Sequence, residues 1–371
     1  MPTIAFVANS SWSMYNFRRG LLRELRSRGY RIVVIAPQDN FSAALIADGM
    51  DFIPLEMDNY GSRLLTELAT LRQLRRIYRE CTPDLIFHYT IKPNIYGTIA
   101  AASIGIPSVA VITGLGHTFS NHKLAPIVKL LYRYALRKSK SVWFLNNDDK
   151  RVFEKLGIGN SVEQKVLPGE GVDTTWFYES KTPQTEPLVF LYAGRMLFDK
   201  GVGDFAEAAA IVKARFPETS FRMVGFIDQR NPGSVSSRQL LEWRNSGNLE
   251  YLGETTDIRP FIDAAHCVVL PSYYGEGLSR ILLEACSMAK PIITTRNVGC
   301  AQLVEEGING YLCNVRDPRD LAHQMEKMIA DGSEKRTSMG QRSRQIVKSR
   351  YEEQVIVDIY LEFIRKHLPG R

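Results

Sequence analysis

The sequence predicts an α/β protein built from two doubly wound, Rossmann-like halves. Three observations carry the prediction. Short apolar runs alternate with stretches of helical spacing through residues 1–177, a second such series opens at Leu188, and a polar segment with two prolines separates them. At 371 residues the chain is long for one core, and 44% hydrophobic with 23% charged residues is the composition of an ordinary globular protein.

The first strand is read at residues 2–8, followed by a polar loop and a helix from about Tyr15 to Arg28. Strands are then expected at residues 31–36, 51–55, 85–88, 108–113 and 141–145, each separated by a helical or loop segment. The second series places strands at residues 188–193, 220–224, 249–252, 267–270, 291–294 and 310–312. Repeated β-then-α order with short apolar strands requires parallel sheets. The predicted division is an N-terminal domain over 1–177, a linker over 178–187, a C-terminal domain over 188–350, and a final helix within 351–371 that crosses back toward the first half. In such sheets ligands bind beyond the carboxyl ends of the strands, so two facing halves would line one cleft.

Charge and cysteine usage narrow the class further. Residues 1–178 hold 22 Lys+Arg against 15 Asp+Glu, and the remainder is balanced, so the whole net charge of +7 sits in the first half. Such asymmetry fits either simple solubility charge or an anionic partner that meets that half alone: a membrane surface, a phosphate-bearing acceptor or nucleic acid. Five cysteines lack metal-ligand spacing and are expected as buried thiols in a reducing compartment. Neither a secretory signal nor a membrane-spanning stretch is read in the sequence.

The chemistry concentrates in the second half. Glu276 and Glu284 stand eight residues apart, after the apolar run 264–270 and the turn 271–275. A helix starting near Gly277 would leave its first N–H groups unpaired beside Glu276, with Glu284 two turns on along roughly the same face. One site could then hold a phosphate on backbone amides while two carboxylates accept bonds from sugar hydroxyls, which is what a sugar nucleotide requires. Arg195 and Lys200 stand on the loop after the strand 188–193, with Gly194 before them and Gly201 after. Two cations there fit a solvated turn or a clamp on a diphosphate leaving group; the glutamate pair in the same half favours the clamp.

Gly194-Arg195 with Lys200-Gly201, then Leu270-Pro271-Ser272 with Glu276-Gly277 and Glu284-Ala285, resembles the C-terminal domain of retaining GT-B glycosyltransferases of glycosyltransferase family 4. Val166-Leu167-Pro168 with Gly171-Val172-Asp173 is similar to the segment these enzymes carry before the linker, so the resemblance spans nearly the whole chain. It implies a GT-B fold. It also implies that Arg195 and Lys200 bind the nucleotide diphosphate, that Glu284 bonds the ribose hydroxyls, and that Glu276 lies near the donor sugar. Amides around Gly277, Leu278 and Ser279 are implied to meet the diphosphate or sugar. Retention, no metal and no cofactor are implied, the UDP-sugar being a substrate.

The N-terminal half is then expected to bind the acceptor. Its first loop, residues 8–19, lacks the paired glycines common in the family, leaving Asn16, Arg18 and Arg19 as side-chain donors or as a solvated first turn. His117, in Thr113-Gly114-Leu115-Gly116-His117, resembles a histidine that relatives place beside the reacting sugar; a surface histidine is the other reading. His88, at the end of the preceding strand, and Lys92, just after it, are candidates for the acceptor diphosphate. Arg72, Arg75, Arg76 and Arg79 recur at helical spacing, as do Lys129, Arg133 and Arg137 among apolar residues, faces that suit an anionic bilayer or plain solvation.

The narrower resemblance is to bacterial transferases that add an N-acetylhexosamine, N-acetylgalactosamine above all, to an undecaprenyl-diphosphate-linked sugar. It rests on residues 34–39, 94–97, 114–116 and 270–274. It implies a cytoplasmic enzyme on the inner-membrane surface. A sugar-nucleotide 2-epimerase shares the architecture and stays open as a second class. A nucleic-acid-binding protein ranks below both, since no basic cluster interleaves with an aromatic stacking platform.

Overall fold

The computed structural model of the chain describes residues 1–58, 64–115, 125–181, 187–228, 231–273, 275 and 277–368. The chain forms two compact units, one of Met1–Gly171 with Glu353–Arg371 and one of Val172–Glu352. Part of the expected linker, residues 182–186, lies outside the described residues, as do Tyr274, Glu276 and His117.

In the first unit seven strands form one parallel sheet: β1 (Thr3–Val7), β2 (Arg31–Ala36), β3 (Asp51–Pro54), β4 (Leu85–Tyr89), β5 (Ser108–Ile112), β6 (Ser141–Phe144) and β7 (Glu163–Val166). Their order is β3-β2-β1-β4-β5-β6-β7. β1, β4, β5 and β6 are buried along their whole length, which is why they read as unbroken apolar runs. Ala5, Val7, Ile86, Ala110, Ile112, Val142 and Phe144 project to one face, under the helices Leu64–Cys81, Thr98–Ala102 and Ala125–Leu136. Ile4, Phe6, Phe87, Val109 and Trp143 project to the other, under the helices Ser11–Ser27 and Glu353–His367.

The helix Glu353–His367 belongs to this first unit although it is encoded after all of the second. Ile356, Val357, Tyr360, Leu361, Phe363 and Ile364 are buried in it. The Tyr360 ring lies 4.8 Å from both Phe87 and Trp143, and its hydroxyl meets that of Tyr89 at 2.8 Å. Aromatic side chains supply much apolar area per residue, so this contact closes one face of the sheet.

The second unit has six parallel strands, β8 (Val189–Ala193), β9 (Ser220–Val224), β10 (Glu250–Tyr251), β11 (Cys267–Leu270), β12 (Ile292–Thr295) and β13 (Gly310–Cys313), in the order β10-β9-β8-β11-β12-β13. The helices Val202–Arg215 and Pro318–Ala330 pack on each other, as do Arg280–Ser287 and Gly332–Arg350. Cys267, Cys286, Cys300 and Cys313 are buried thiols within this core, and Cys81 is buried in the other unit.

Candidate functional site

The order of the second sheet reverses between β8 and β11. From β8 the chain proceeds outward through β9 and β10, and from β11 it proceeds the other way through β12 and β13. Loops leaving the carboxyl ends of two such strands diverge and leave a crevice, the ordinary ligand site of an open parallel sheet.

The loop after β8 is held firmly. Gly194 N–H donates to Val224 O at 3.0 Å and Met196 N–H to Phe226 O at 3.0 Å. The Arg195 carbonyl accepts from the Tyr192 hydroxyl at 3.0 Å and from Leu197 N–H at 2.7 Å. Lys200 closes a single 3₁₀ turn, Phe198–Lys200, and Gly201 follows in the left-handed region at φ 77°. The side chains of Arg195 and Lys200 are half-buried.

The loop after β11 is tied to the first loop. Tyr273 N–H donates to Asp199 O at 2.9 Å, and the Ser272 hydroxyl donates to the same carbonyl at 3.4 Å. A Cβ on Gly201 would lie 2.1 Å from Pro271 O, so only glycine permits the approach, and the backbone conformation demands it as well. Thr294 Oγ1 donates to Leu270 O at 2.6 Å and Thr295 Oγ1 to Ser272 O, which anchors the loop from β12. Thus Gly194, Arg195 and Lys200 share one end of the sheet with Gly277, Leu278 and Ser279.

Ser279 is the N-cap of the helix Arg280–Ser287, yet its side chain makes no capping bond. Its hydroxyl is fully buried and has no hydrogen-bond partner among the described residues. The sequence expectation of a phosphate contact from the Ser279 amide is corrected, because that N–H donates to Gly299 O at 2.8 Å. The hydroxyl is the group left to offer, beside the first-turn amides of the helix. Gly277 is buried and its carbonyl accepts from Gln302 Nε2 at 3.2 Å. Leu278 packs against the core of the unit.

Glu284 sits one turn into that helix, 9% exposed, and accepts from Arg280 Nε at 2.7 Å. Burial pushes its carboxyl above the ordinary range, and the Arg280 guanidinium opposes that push. Arg280 also lies over the Phe177 ring, 5.7 Å from its centroid. The Arg280 pairing was not read from the sequence, although the i,i+4 spacing on a helix was there to show it.

The first unit treats its candidates differently. Arg18 is corrected from an acceptor-binding group to a structural one: it is 5% exposed, pairs with Glu170, donates to Ser13 O at 3.1 Å and lies 3.9 Å from the Tyr89 ring centroid. His88 is corrected likewise, since it is fully buried, with Nε2 at 2.9 Å from the Tyr78 hydroxyl and Nδ1 at 3.2 Å from Thr98 Oγ1. Burial lowers its pKa to about 3, so the imidazole is neutral and cannot answer a diphosphate with charge. Arg19 forks onto Asp48 at 2.6 and 3.1 Å. Burial works against the ionised Asp48, but bonds from Arg19 and Arg23 outweigh it and hold the carboxyl below its usual range. Asn16 donates to Trp12 O at 2.9 Å within its own helix. Lys92 reaches Asp58 O at 2.6 Å and the buried Glu67 carboxylate. The partners Glu170, Asp48 and Glu67 lie far off in sequence, and no local pattern announces them.

Two family descriptions match separate stretches of the chain. Residues 174–346 match the family described as Glycosyl transferases group 1, and residues 3–146 match Glycosyl transferase 4-like. The chain is 26% identical, over 97% of both chains, to an N,N'-diacetylbacillosaminyl-diphospho-undecaprenol alpha-1,3-N-acetylgalactosaminyltransferase from Campylobacter jejuni. It is 26% identical to a UDP-Gal:alpha-D-GlcNAc-diphosphoundecaprenol alpha-1,3-galactosyltransferase from Escherichia coli, covering 76% of this chain and 74% of that one. Among solved structures, Anabaena Alr3699/HepE in complex with UDP-glucose superposes with a TM-score of 0.81 at 19% identity, covering 99% of this chain and 100% of that one.

Proposed function

We propose, from the premise that this chain belongs to the group 1 glycosyltransferases and has their GT-B fold, that it moves an N-acetylhexosamine from a UDP-sugar to an undecaprenyl-diphosphate-linked acceptor. N-acetylgalactosamine is the favoured sugar, and the product serves assembly of a bacterial glycan. The observation that carries the donor half is the knitting of the Gly194–Gly201 and Pro271–Ser279 loops at the reversal of the second sheet.

In this reading the diphosphate of the donor lies over the first turn of the helix Arg280–Ser287, with Arg195 and Lys200 offsetting its charge and the Ser279 hydroxyl donating to it. Glu284 accepts from the ribose hydroxyls. Glu276 and His117 act near the sugar, Glu276 positioning its hydroxyls and His117 orienting the donor. The C1–O bond to UDP breaks as the acceptor oxygen bonds C1 from the same face, and the acceptor proton passes to the departing phosphate oxygen. Charge developing on that phosphate meets protein cations, so the reaction needs no metal, and attack from the face that UDP leaves retains the anomeric configuration.

The test is to incubate the purified protein with UDP-GalNAc, UDP-GlcNAc or UDP-Gal and an undecaprenyl-diphosphate-linked sugar, with and without EDTA, and to resolve product mass and anomeric configuration. The expected product is an α-linked N-acetylhexosamine, formed equally with EDTA. A 2-epimer appearing from the UDP-sugar alone would establish the epimerase instead, and a β-linked product would overturn retention.

A further inference from the structure

Among the described residues, Arg280 and Glu284 form the one i,i+4 ion pair with both side chains under a fifth exposed, at 18% and 12%. The pairs Arg76–Glu80 and Arg238–Glu242 have the same spacing and stand in water. An exposed pair of this kind adds little to stability, and a buried one must first offset the desolvation of both charges. Stability therefore does not explain why this pair is buried at the carboxyl end of the second sheet.

The segment that opens the second unit seats Arg280. The Phe177 ring that its guanidinium approaches is fixed to the same helix, because the Phe177 carbonyl accepts from Ser287 Oγ at 2.7 Å. Asp173 folds back to accept from Thr175 N–H, Thr175 Oγ1 and Trp176 N–H at 2.8, 2.6 and 3.0 Å. Burial works against its ionised form, but those bonds and the Arg280 charge hold its carboxyl below the usual range. On Glu284, burial favours the neutral acid, the charge and bond of Arg280 oppose it, and Asp257 adds a smaller upward push. Asp257 is itself held by Arg259 Nε and Nη2 at 2.9 and 2.7 Å. From the helix Gly332–Arg350, packed on the same element, Arg344 is turned to the carbonyls of Thr174, Phe177 and Ser287. Arg280 is thus the cation that acts on Glu284, and Phe177 and Asp173 hold it in place.

We propose that Arg280 is a positioning residue for the donor: by binding Glu284 through Oε1 it leaves Oε2 to accept from ribose hydroxyls, and so makes the site select ribonucleotides over deoxynucleotides. A hydroxyl donates most strongly to an ionised carboxylate held still, and Arg280 supplies both conditions. The proposal rests on the reading of Glu284 as the ribose acceptor. It adds that Glu284 does not act alone, and that the group on which it depends stands one helical turn before it.

Calorimetric titration of the full chain with UDP and with 2′,3′-dideoxy-UDP tests it. Both nucleotides carry the same diphosphate, so its own protonation cancels in the ratio of their affinities. The wild type is expected to prefer UDP by about tenfold to a hundredfold, and E284Q to lose most of that preference. R280Q is expected to cut the preference about tenfold, and further as pH falls from about 8 to about 5.5, because Glu284 without its cation takes up a proton at higher pH. It should bind 2′,3′-dideoxy-UDP within about twofold of the wild type, which a misfolded variant would not do. R280K keeps a donor and the charge and should hold the preference within about threefold; it decides the matter if R280Q melts early. R280Q/E284Q should discriminate no worse than E284Q alone, since one residue acts through the other. An unchanged preference in R280Q at every pH, equal loss of both nucleotides at an unchanged melting temperature, additive losses in the double variant, or an R280K as indifferent as E284Q would each overturn the proposal. A wild type that does not distinguish the two nucleotides would overturn the ribose reading and this inference with it, whereas a preference that E284Q loses and R280Q keeps would overturn this inference alone.

Discussion

Replacing Gly201 by alanine probes the contact on which the proposed donor site depends. Gly201 has φ 77°, and a Cβ there would sit 2.1 Å from Pro271 O and 2.5 Å from Pro271 C. The left-handed conformation alone costs an alanine about 1–2 kcal/mol. Forcing a methyl group into backbone atoms that cannot rotate away adds about 1–3 kcal/mol more, by analogy with overpacked cores. The sum, about 2–5 kcal/mol, corresponds to a fall in melting temperature of roughly 4–20 °C for a unit of this size. Any relief by movement of Pro271 parts the two loops, so the stabilisation that UDP gives should shrink together with the melting temperature. The neighbouring Gly203 supplies the control. A Cβ there meets only the edge of the Phe198 ring, at 3.4 and 3.5 Å, within a helix, so Gly203→Ala should be neutral or stabilising by up to about 1 kcal/mol. Differential scanning fluorimetry with and without UDP reads both. If Gly201→Ala melts with the wild type and responds to UDP as it does, the close approach is not what holds the site, and the reasoning fails.

Three further outcomes are expected. Ser279→Ala should leave stability unchanged or slightly raised, because the hydroxyl makes no bond among the described residues, while UDP affinity falls several-fold; calorimetric titration that finds affinity intact would remove the hydroxyl from the site. Lys200→Ala and Arg195→Ala should each weaken UDP binding by about tenfold to a hundredfold, as loss of a charge-assisted bond does, and Glu284→Gln by about tenfold, whereas equal binding in all three would refute the assignment. His88 is held neutral, its pKa lowered to about 3, so its stabilising contribution is complete above the unfolded value near 6.5 and is lost as pH falls toward 3. Between pH 7.5 and 4.5 that is about 2–3 kcal/mol, and His88→Gln should flatten this slope in urea unfolding of the chain; an unchanged slope would mean the folded imidazole takes up the proton.

The alternation of strands and helices was legible because strands such as β1, β4 and β8 are buried on both faces and leave apolar runs in the sequence. The turns of the two loops proposed to hold the donor were legible too, since their glycines and prolines mark turns at fixed distances from those runs. What stayed hidden depended on distance along the chain. Arg18 looks like a donor at the start of a helix until Glu170 arrives from 152 residues away. His88 carried a signal that was passed over: it stands fourth in Leu-Ile-Phe-His-Tyr, the interior of a strand buried on both sides, where a polar residue is a member of the core. The Ser279 amide was unreadable for another reason, because its acceptor, Gly299, comes from a loop with no pattern of its own.

The docking of Glu353–His367 onto the first sheet fixes an order of assembly during synthesis. Phe6, Phe87 and Trp143 leave the ribosome early, yet the side chains that cover them, Tyr360 and Phe363, emerge only after every residue of Val172–Glu352. The second unit is contiguous and can close as soon as it is made, whereas the first must wait with the part of that face not covered by the helix Ser11–Ser27 still bare. Growing chains commonly fold from the amino end, and here the amino-terminal unit is the last to finish. A nascent chain stalled before residue 353 should accordingly present an aromatic surface that chaperones bind.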